Sequence, residues 1–386
     1  MSSPLIYLDH AATSHPKPEA VGLAVQAALQ AGGNPGRGGH RLALAAGRRV
    51  LAARETVASL LGAPDPARVL FMSSCTDSLN LALKGLLRPG DHVITTDVEH
   101  NALRRPLAAL EQQGVLVTRV AVAPDGRVDL LALRDAIRPA TRLIAVNHAS
   151  NVSGTIQPIA EIAEIACQAA VYLLVDAAQT AGIVPLDMRS MGIHMLAAPG
   201  HKGLLGPQGT GILCVDPTVP LLPIREGGTG SHSAEAAQPV IFPEGFESGT
   251  LNVPGIAGLA AGAAFLQEYG VERVRRHEMA LAGALAEGLR AVPGVTVYGP
   301  DDPYLRAAVV TFSLDGCDPG ELEELLDDEY GIAGRAGLHC NPGCHAHLGT
   351  LDAGGAMRLS PGLFSTAHEI EEAVRAVAAI AALRRD

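Results

Sequence analysis

The chain has 386 residues, 48% of them apolar, and carries 40 acidic against 29 basic side chains, a formal net charge of −11. That length allows one large domain and a smaller one, and the acidic balance offers no basic footprint for nucleic acid or an anionic membrane surface. The amino terminus MSSPLIYLDH lacks the basic stretch and apolar core of a secretory signal, and six dispersed cysteines make no disulfide framework, so a reduced, cytoplasmic setting is expected.

A short extended segment, IYLDHAATSHP, comes first, and apolar residues at helical spacing follow from Lys17 to Leu29. A glycine-rich loop over residues 32–40, holding Arg37 and His40, leads into a second amphipathic helix from about Leu42 to Leu61, stopped by Gly62 and Pro64. Short apolar runs then alternate with helical segments: VLFM (69–72), HVITT (92–96), VLVTRV (115–120), RLIAVNH (142–148), VYLLVD (171–176), HMLAA (194–198) and TGILCV (210–215). This alternation predicts an α/β fold with a mostly parallel, seven-stranded sheet covered on both faces. The uncharged run Ser248–Gln267 is apolar only from Val253 to Leu266 and is broken by Pro254 and three glycines, which reads as a buried helix and not a membrane span. Beyond Gly255 the pattern predicts one long helical region to Ala291, strands in GVTVYG and AAVVTFSL, and a helix opened by Asp318 and Pro319. A loop rich in Gly, Cys and His follows over 334–350, then a strand at AMRLS and a closing helix from Ala367 to Leu383, together a smaller α+β layer.

Ligands of α/β sheets gather beyond the carboxyl ends of the strands, and four stretches with chemical potential lie there. In SSCTDSLNLA a strand turns into a helix at Ser74, Cys75 and Thr76, where free N–H groups suit an anion, though an N-cap alone explains the serine. DVEHN places His100 after HVITT. LLVDAAQTAG ends the most apolar strand with Asp176, a carboxylate that needs a cation opposite, and brings Gln179 three residues on. APGHKGLLGPQGTGIL carries His201 and Lys202 among Gly200, Gly203, Gly206 and Gly209, a setting for an amine held in close-packed, poorly hydrated backbone. An anion site, a flat ring, a buried carboxylate and a reactive lysine together match the needs of pyridoxal 5′-phosphate.

These stretches, with YLDHAAT, EHNALRRPL, NHASNVSGTIQPI, FESGTLNVPGIAGL, RAGLHC and MRLSPGLFST, resemble the class V aminotransferase group of fold-type I pyridoxal-phosphate enzymes, in its cysteine desulfurase and selenocysteine lyase branch. The resemblance runs nearly end to end. It implies an amino-terminal segment over 1–16 near the active site, a large cofactor-binding domain over 17–255, and a small carboxy-terminal domain over 256–386 carrying the Cys340 loop. It implies that Lys202 bonds covalently to the cofactor aldehyde and moves the Cα proton, Asp176 faces the pyridine nitrogen, Gln179 the phenolic oxygen, and His100 the ring face. Cys75 through its backbone, Thr76 and His201 would hold the phosphate, and Thr250 would reach the phosphate of a neighbouring subunit, implying a homodimer with shared active sites. Asn151 and Arg358 would bind the substrate carboxylate. Two positions depart from the pattern: Pro199 stands where serine or threonine is usual, and Cys75 where threonine is common.

Cys340 in RAGLHC aligns with the nucleophile of the desulfurase branch, which implies conversion of L-cysteine to L-alanine with a persulfide on Cys340 and delivery to a sulfur-acceptor protein or small thiol. His100 or His339 would assist deprotonation of a thiol, and Cys344 is open to a resolving role. From the residues alone, Cys340 is also compatible with a small buried packing residue. HCNPGCHAH is compatible with a metal site, against which stands the lack of a second ligand pair. A selenocysteine lyase or a C–S lyase acting on cystine or a related thioether would use the same cofactor site with little use of Cys340, and a non-catalytic scaffold would retain the fold alone.

Overall fold

The computed structural model describes residues 5–36 and 38–384; Arg37 of the glycine-rich loop and the first four residues of the amino-terminal segment lie outside them. Seven strands form the main sheet: after β1 (Ile6–Tyr7) come β2 (Val69–Met72), β3 (His92–Thr96), β4 (Leu116–Val120), β5 (Thr141–Asn147), β6 (Tyr172–Asp176), β7 (Met195–Pro199) and β8 (Gly211–Val215), in spatial order β2-β8-β7-β6-β5-β3-β4. The sheet is parallel except for β8, which runs antiparallel to both β2 and β7. Strands β3, β7 and β8 are buried along their whole length, because helices cover both faces; β7 and β8 read as unbroken apolar runs, while β3 also buries His92, Thr95 and Thr96. The reversal of β8 follows from its connection: residues 200–210 are too few to carry a helical crossover, so the chain can only turn back on itself. That turn holds Lys202.

One core, including Val57, Ile144, Leu204 and Leu266, fills one face of the sheet; a second, including Leu79, Leu103, Leu174 and Leu213, fills the other. The third core belongs to the small domain, where helices Val271–Arg290, Pro319–Tyr330 and Ala367–Leu383 pack with the sheet of β9 (Val295–Val297), β10 (Val310–Leu314) and β12 (Met357–Leu359) around Leu285, Phe312 and Val377. Here the structure corrects the sequence reading. The expected single helix is two, Val253–Tyr269 and Val271–Arg290, broken at Gly270 with φ 93°. The first of them, with Val253, Ile256 and Leu259 buried, belongs to the large-domain core, and so does Val274 near the start of the second, which joins the small-domain core from Leu281 onward. Among the described residues no helix is long and apolar enough to cross a membrane.

The amino-terminal segment joins the domains. β1 pairs in parallel with β11 (Ile332–Ala333), and Leu8 is buried in the small-domain core. A few residues later Ser14 Oγ donates to the carbonyl oxygen of Lys202 at 2.9 Å.

Candidate active site

A cavity of about 190 Å³ lies at the carboxyl ends of the strands, bordered by Lys202 and His201, by Asp176 and Gln179, by His100, and by Ser74 to Thr76. Asn151 and Asn341 close one side of it, so eight of the residues singled out from sequence share one cavity: Cys75, Thr76, His100, Asn151, Asp176, Gln179, His201 and Lys202. The glycines around Lys202 are explained by close approach. A Cβ on Gly203 would sit 2.4 Å from the carbonyl oxygen of Ala181, and one on Gly206 would sit 2.9 Å from Leu259 Cα. Burial, followed by the nearby Arg358 guanidinium, lowers the pKa of the Lys202 amine, which favours the free base.

Asp176 ends β6 with its carboxyl pushed up by burial, an effect opposed first by the Ala178 N–H and then by Lys202. Its Oδ1 accepts from Ala178 N at 2.9 Å and from Cys75 Sγ at 3.6 Å, while Oδ2 has no hydrogen-bond partner among the described residues. The thiol of Cys75 is therefore buried beside Asp176, and burial and that carboxylate drive its pKa well above the ordinary value. Sequence reasoning missed this contact, which joins residues 101 positions apart. It also missed Asn147, whose buried Oδ1 has no partner and which lines the cavity beside Asp176.

Ser74 caps the Cys75–Leu86 helix by accepting from Asp77 N, leaving the first-turn N–H groups of Cys75 and Thr76 without intrahelical acceptors. On the other side of the cavity His201 Nδ1 is buried and unpartnered. A helix N-terminus with a spare imidazole nitrogen, a carboxylate oxygen without a donor, and an amine of lowered pKa form a donor set suited to a flat cationic heterocycle bearing a phosphate and an aldehyde.

His100 caps the Asn101–Glu111 helix: its Nδ1 accepts from Ala102 N at 3.0 Å. Burial, then Lys202 and Arg335, push its pKa down to about 4, so the ring is neutral with its proton on Nε2. It offers the cavity a donor and a ring face. His339 is likewise engaged, its Nε2 3.0 Å from the Arg335 carbonyl and its Nδ1 3.1 Å from His345 Nε2. Neither ring has a nitrogen free to take a thiol proton, which corrects the expectation that one of them does so.

Cys340 is exposed, on a loop bound to the cavity wall: Asn101 N donates to the Cys340 carbonyl at 2.8 Å. Cys344 is buried beside Ser150 Oγ at 3.6 Å, and burial raises its thiol pKa, which does not suit a resolving thiol. Among the described residues no group of three or more His, Cys, Asp and Glu side chains is arranged to hold a metal ion. Asn151 spends its amide on this loop, donating to the His339 carbonyl at 2.7 Å and accepting from Asn341 Nδ2 at 3.2 Å. Arg358 is 1% exposed; its Nη1 donates to the Asn151 carbonyl at 3.1 Å and its Nη2 to Asp9 Oδ1 at 2.6 Å, while Nε is buried without a partner. Thr250 does not reach this cavity. It is exposed beside a separate hollow with Thr210 and Arg225.

A profile of the aminotransferase class-V family matches residues 6–373. A probable cysteine desulfurase of Pseudomonas aeruginosa is 38% identical over 95% of this chain and 91% of its own length, and one of Methanothermobacter thermautotrophicus is 34% identical over 95% and 92%. Among solved structures, the apo cysteine desulfurase of Thermococcus onnurineus NA1 superposes with a TM-score of 0.92 at 31% identity, covering 98% of this chain and 95% of its own. The cysteine desulfurase CsdA (S-sulfonic acid) of Escherichia coli gives 0.86 at 31% identity over the same shares.

Proposed function

The chain belongs to the aminotransferase class-V family, and on that footing we propose that it is a pyridoxal 5′-phosphate-dependent cysteine desulfurase, converting L-cysteine to L-alanine with a persulfide on Cys340. The observation that carries this reading is the exposed Cys340 thiol on a loop bonded to the wall of the Lys202 cavity. When bound, the cofactor supplies an electron sink that weakens the bonds at the amino acid's Cα.

The residues divide the work. Asp176 would face the ring nitrogen, His201 and the Cys75 and Thr76 N–H groups would hold the phosphate, His100 would cover the ring face, and Gln179 would meet the phenolic oxygen. Gln179 Nε2 already donates to the Ala11 carbonyl at 3.1 Å, which fixes its amide. Arg358 Nε and the second proton of Asn151 Nδ2 meet the substrate carboxylate. Lys202 Nζ, held as a free base, removes the Cα proton and gives it back to Cα before alanine leaves. The Cys340 thiolate attacks the substrate sulfur: an S–S bond forms, the Cβ–S bond breaks, and its electron pair stays on Cβ, which takes a proton to become the alanine methyl. With both histidines engaged, the thiol protons pass to solvent at the exposed Cys340.

Shared sites in a homodimer account for two further features. Thr250 faces away from its own chain's cavity, and an open groove of about 1160 Å³ along the Arg41–Leu61 helix exposes Leu44 and Leu51 at 51% each, an apolar face that a second subunit covers. The sulfur then passes to an acceptor protein or small thiol, in a reducing cytoplasm that suits six free cysteines.

The test is Cys340→Ser assayed on L-cysteine with alanine and pyruvate quantified. Loss of alanine release is expected. Release at the wild-type rate would overturn the persulfide mechanism, and pyruvate as the main product would point to a C–S lyase.

A further inference from the structure

The Cys340 loop is held in an unusual shape. His339 and Cys340 are consecutive non-glycine residues with φ of 49° and 58°, a left-handed backbone that side chains other than glycine's disfavour at each position. Something must hold it there. Part of the hold is already described, in the bonds from Asn151 and Asn101 to the two carbonyls. The remainder comes from a side-chain chain that no step of the proposed reaction uses: Arg335 carbonyl, His339, His345 and Thr350, linked at 3.0, 3.1 and 2.8 Å.

Its direction is fixed by its ends. A carbonyl only accepts, so His339 Nε2 carries the proton and donates to Arg335. In the neutral ring His339 Nδ1 is then an acceptor, which requires His345 Nε2 to donate to it. His345 Nδ1 is left as an acceptor, and the Thr350 hydroxyl, at 2.8 Å, is the donor that fills it. Every polar atom of both rings is used once. His345 and His339 are 0% and 3% exposed, and burial pushes their pKa values down to about 4 and about 3, in keeping with two neutral rings. His345 belongs to the helix Pro342–His347, which is packed so closely on the segment before His100 that a Cβ on Gly343 would lie 1.9 Å from the Asp97 carbonyl. The chain therefore runs from a fixed helix to the strained loop.

We infer that His345, with Thr350, is a positioning residue for Cys340: it locks the His339 ring and tautomer and thereby holds the Cys340 backbone against the end of the His100 helix. The role rests on the reading of Cys340 as nucleophile, but the lock is a property of the protein alone. His345→Leu removes the donor at similar volume, and Thr350→Val removes only the hydroxyl. His345→Gln keeps an N–H for His339. Amide hydrogen exchange over residues 336–341 and alkylation of Cys340 relative to Cys167 read the lock without turnover, and kcat and KM on L-cysteine read its consequence. The Leu and Val variants are expected to speed exchange about tenfold or more and to lower kcat about tenfold with KM changed less than twofold, as for a displaced reacting group. The Gln variant should recover most of both. If the Leu variant does not fold, Thr350→Val decides. Wild-type exchange and kcat in Thr350→Val would overturn the inference. Faster exchange alongside a Cys340→Ser enzyme that still releases alanine would instead keep the lock and overturn the desulfurase reading.

Discussion

Cys340 and Cys344 lie four residues apart in opposite environments, the first exposed on a left-handed loop and the second 1% exposed against Ser150, Val98 and Val152. Reactivity follows the environment, because only an accessible thiol that can ionise is a nucleophile. Brief treatment of the native protein with iodoacetamide, followed by peptide mass spectrometry, is expected to mark Cys340 and the exposed Cys167 well before Cys75, Cys214 and Cys344. Early labelling of Cys344 would contradict the burial described. Single residues also show what was hidden in the chain. Lys202, Asp176 and His100 stand out in the sequence because each follows an apolar run where a polar group needs a reason. The Cys75–Asp176 contact and the His339–His345 pair have no such marker, since both depend on side-chain directions that only the folded loops determine.

At the level of elements, the short turn between β7 and β8 delivers Lys202 to the cavity and leaves no spare volume around it. Gly203→Ala places a methyl 2.4 Å from the Ala181 carbonyl and is expected to destabilise the protein by about 1–3 kcal/mol, as overpacking does. A lower thermal midpoint together with weaker pyridoxal-phosphate retention would be the readout, and an unchanged midpoint would argue against close packing at this turn. Strands such as β6 and β7 were legible because a parallel strand buried on both faces is largely apolar. The direction of β8 was not, because strand polarity is set by the length of a connection and not by the strand's own residues. Gly270 was also passed over. The helical periodicity on either side continues across it, and its positive φ is what ends the first helix there.

Across the whole molecule, buried ionisable groups shape the response to pH. Burial lowers the pKa of His10, His92, His100, His148, His201 and His345 to about 4 and of His339 to about 3, from 6.5. Below pH 6.5 the unfolded chain takes up protons that the folded one refuses, so the stability present above 6.5 is lost as pH falls toward 4. Glu99 and Glu278 act in the opposite sense: burial raises both to about 8 from 4.5, and their contribution is lost as pH rises from 4.5 to 8. With seven histidines opposed by two glutamates on the acid side, and the two glutamates alone acting above pH 6.5, the thermal midpoint should fall more steeply on the acid side of its maximum. A midpoint that stays level from pH 7 to pH 5 would show that these histidines are not held neutral by the fold.

The amino-terminal segment has a bearing on the order of assembly. β1 needs Ile332 and Ala333, Asp9 needs Arg358, and His10 N–H donates to the carbonyl of Ser360 at 3.1 Å. Residues 6–10 must therefore wait for residues 332–360 before they have these partners. The next residues, Thr13, Ser14 and Lys17, hydrogen-bond the His201 carbonyl beside Lys202, so the same segment that β11 anchors also braces the Lys202 turn. Synthesis of the carboxy-terminal domain is thus the event that completes the reactive centre, and a nascent chain carrying the full main sheet still has an unfinished site.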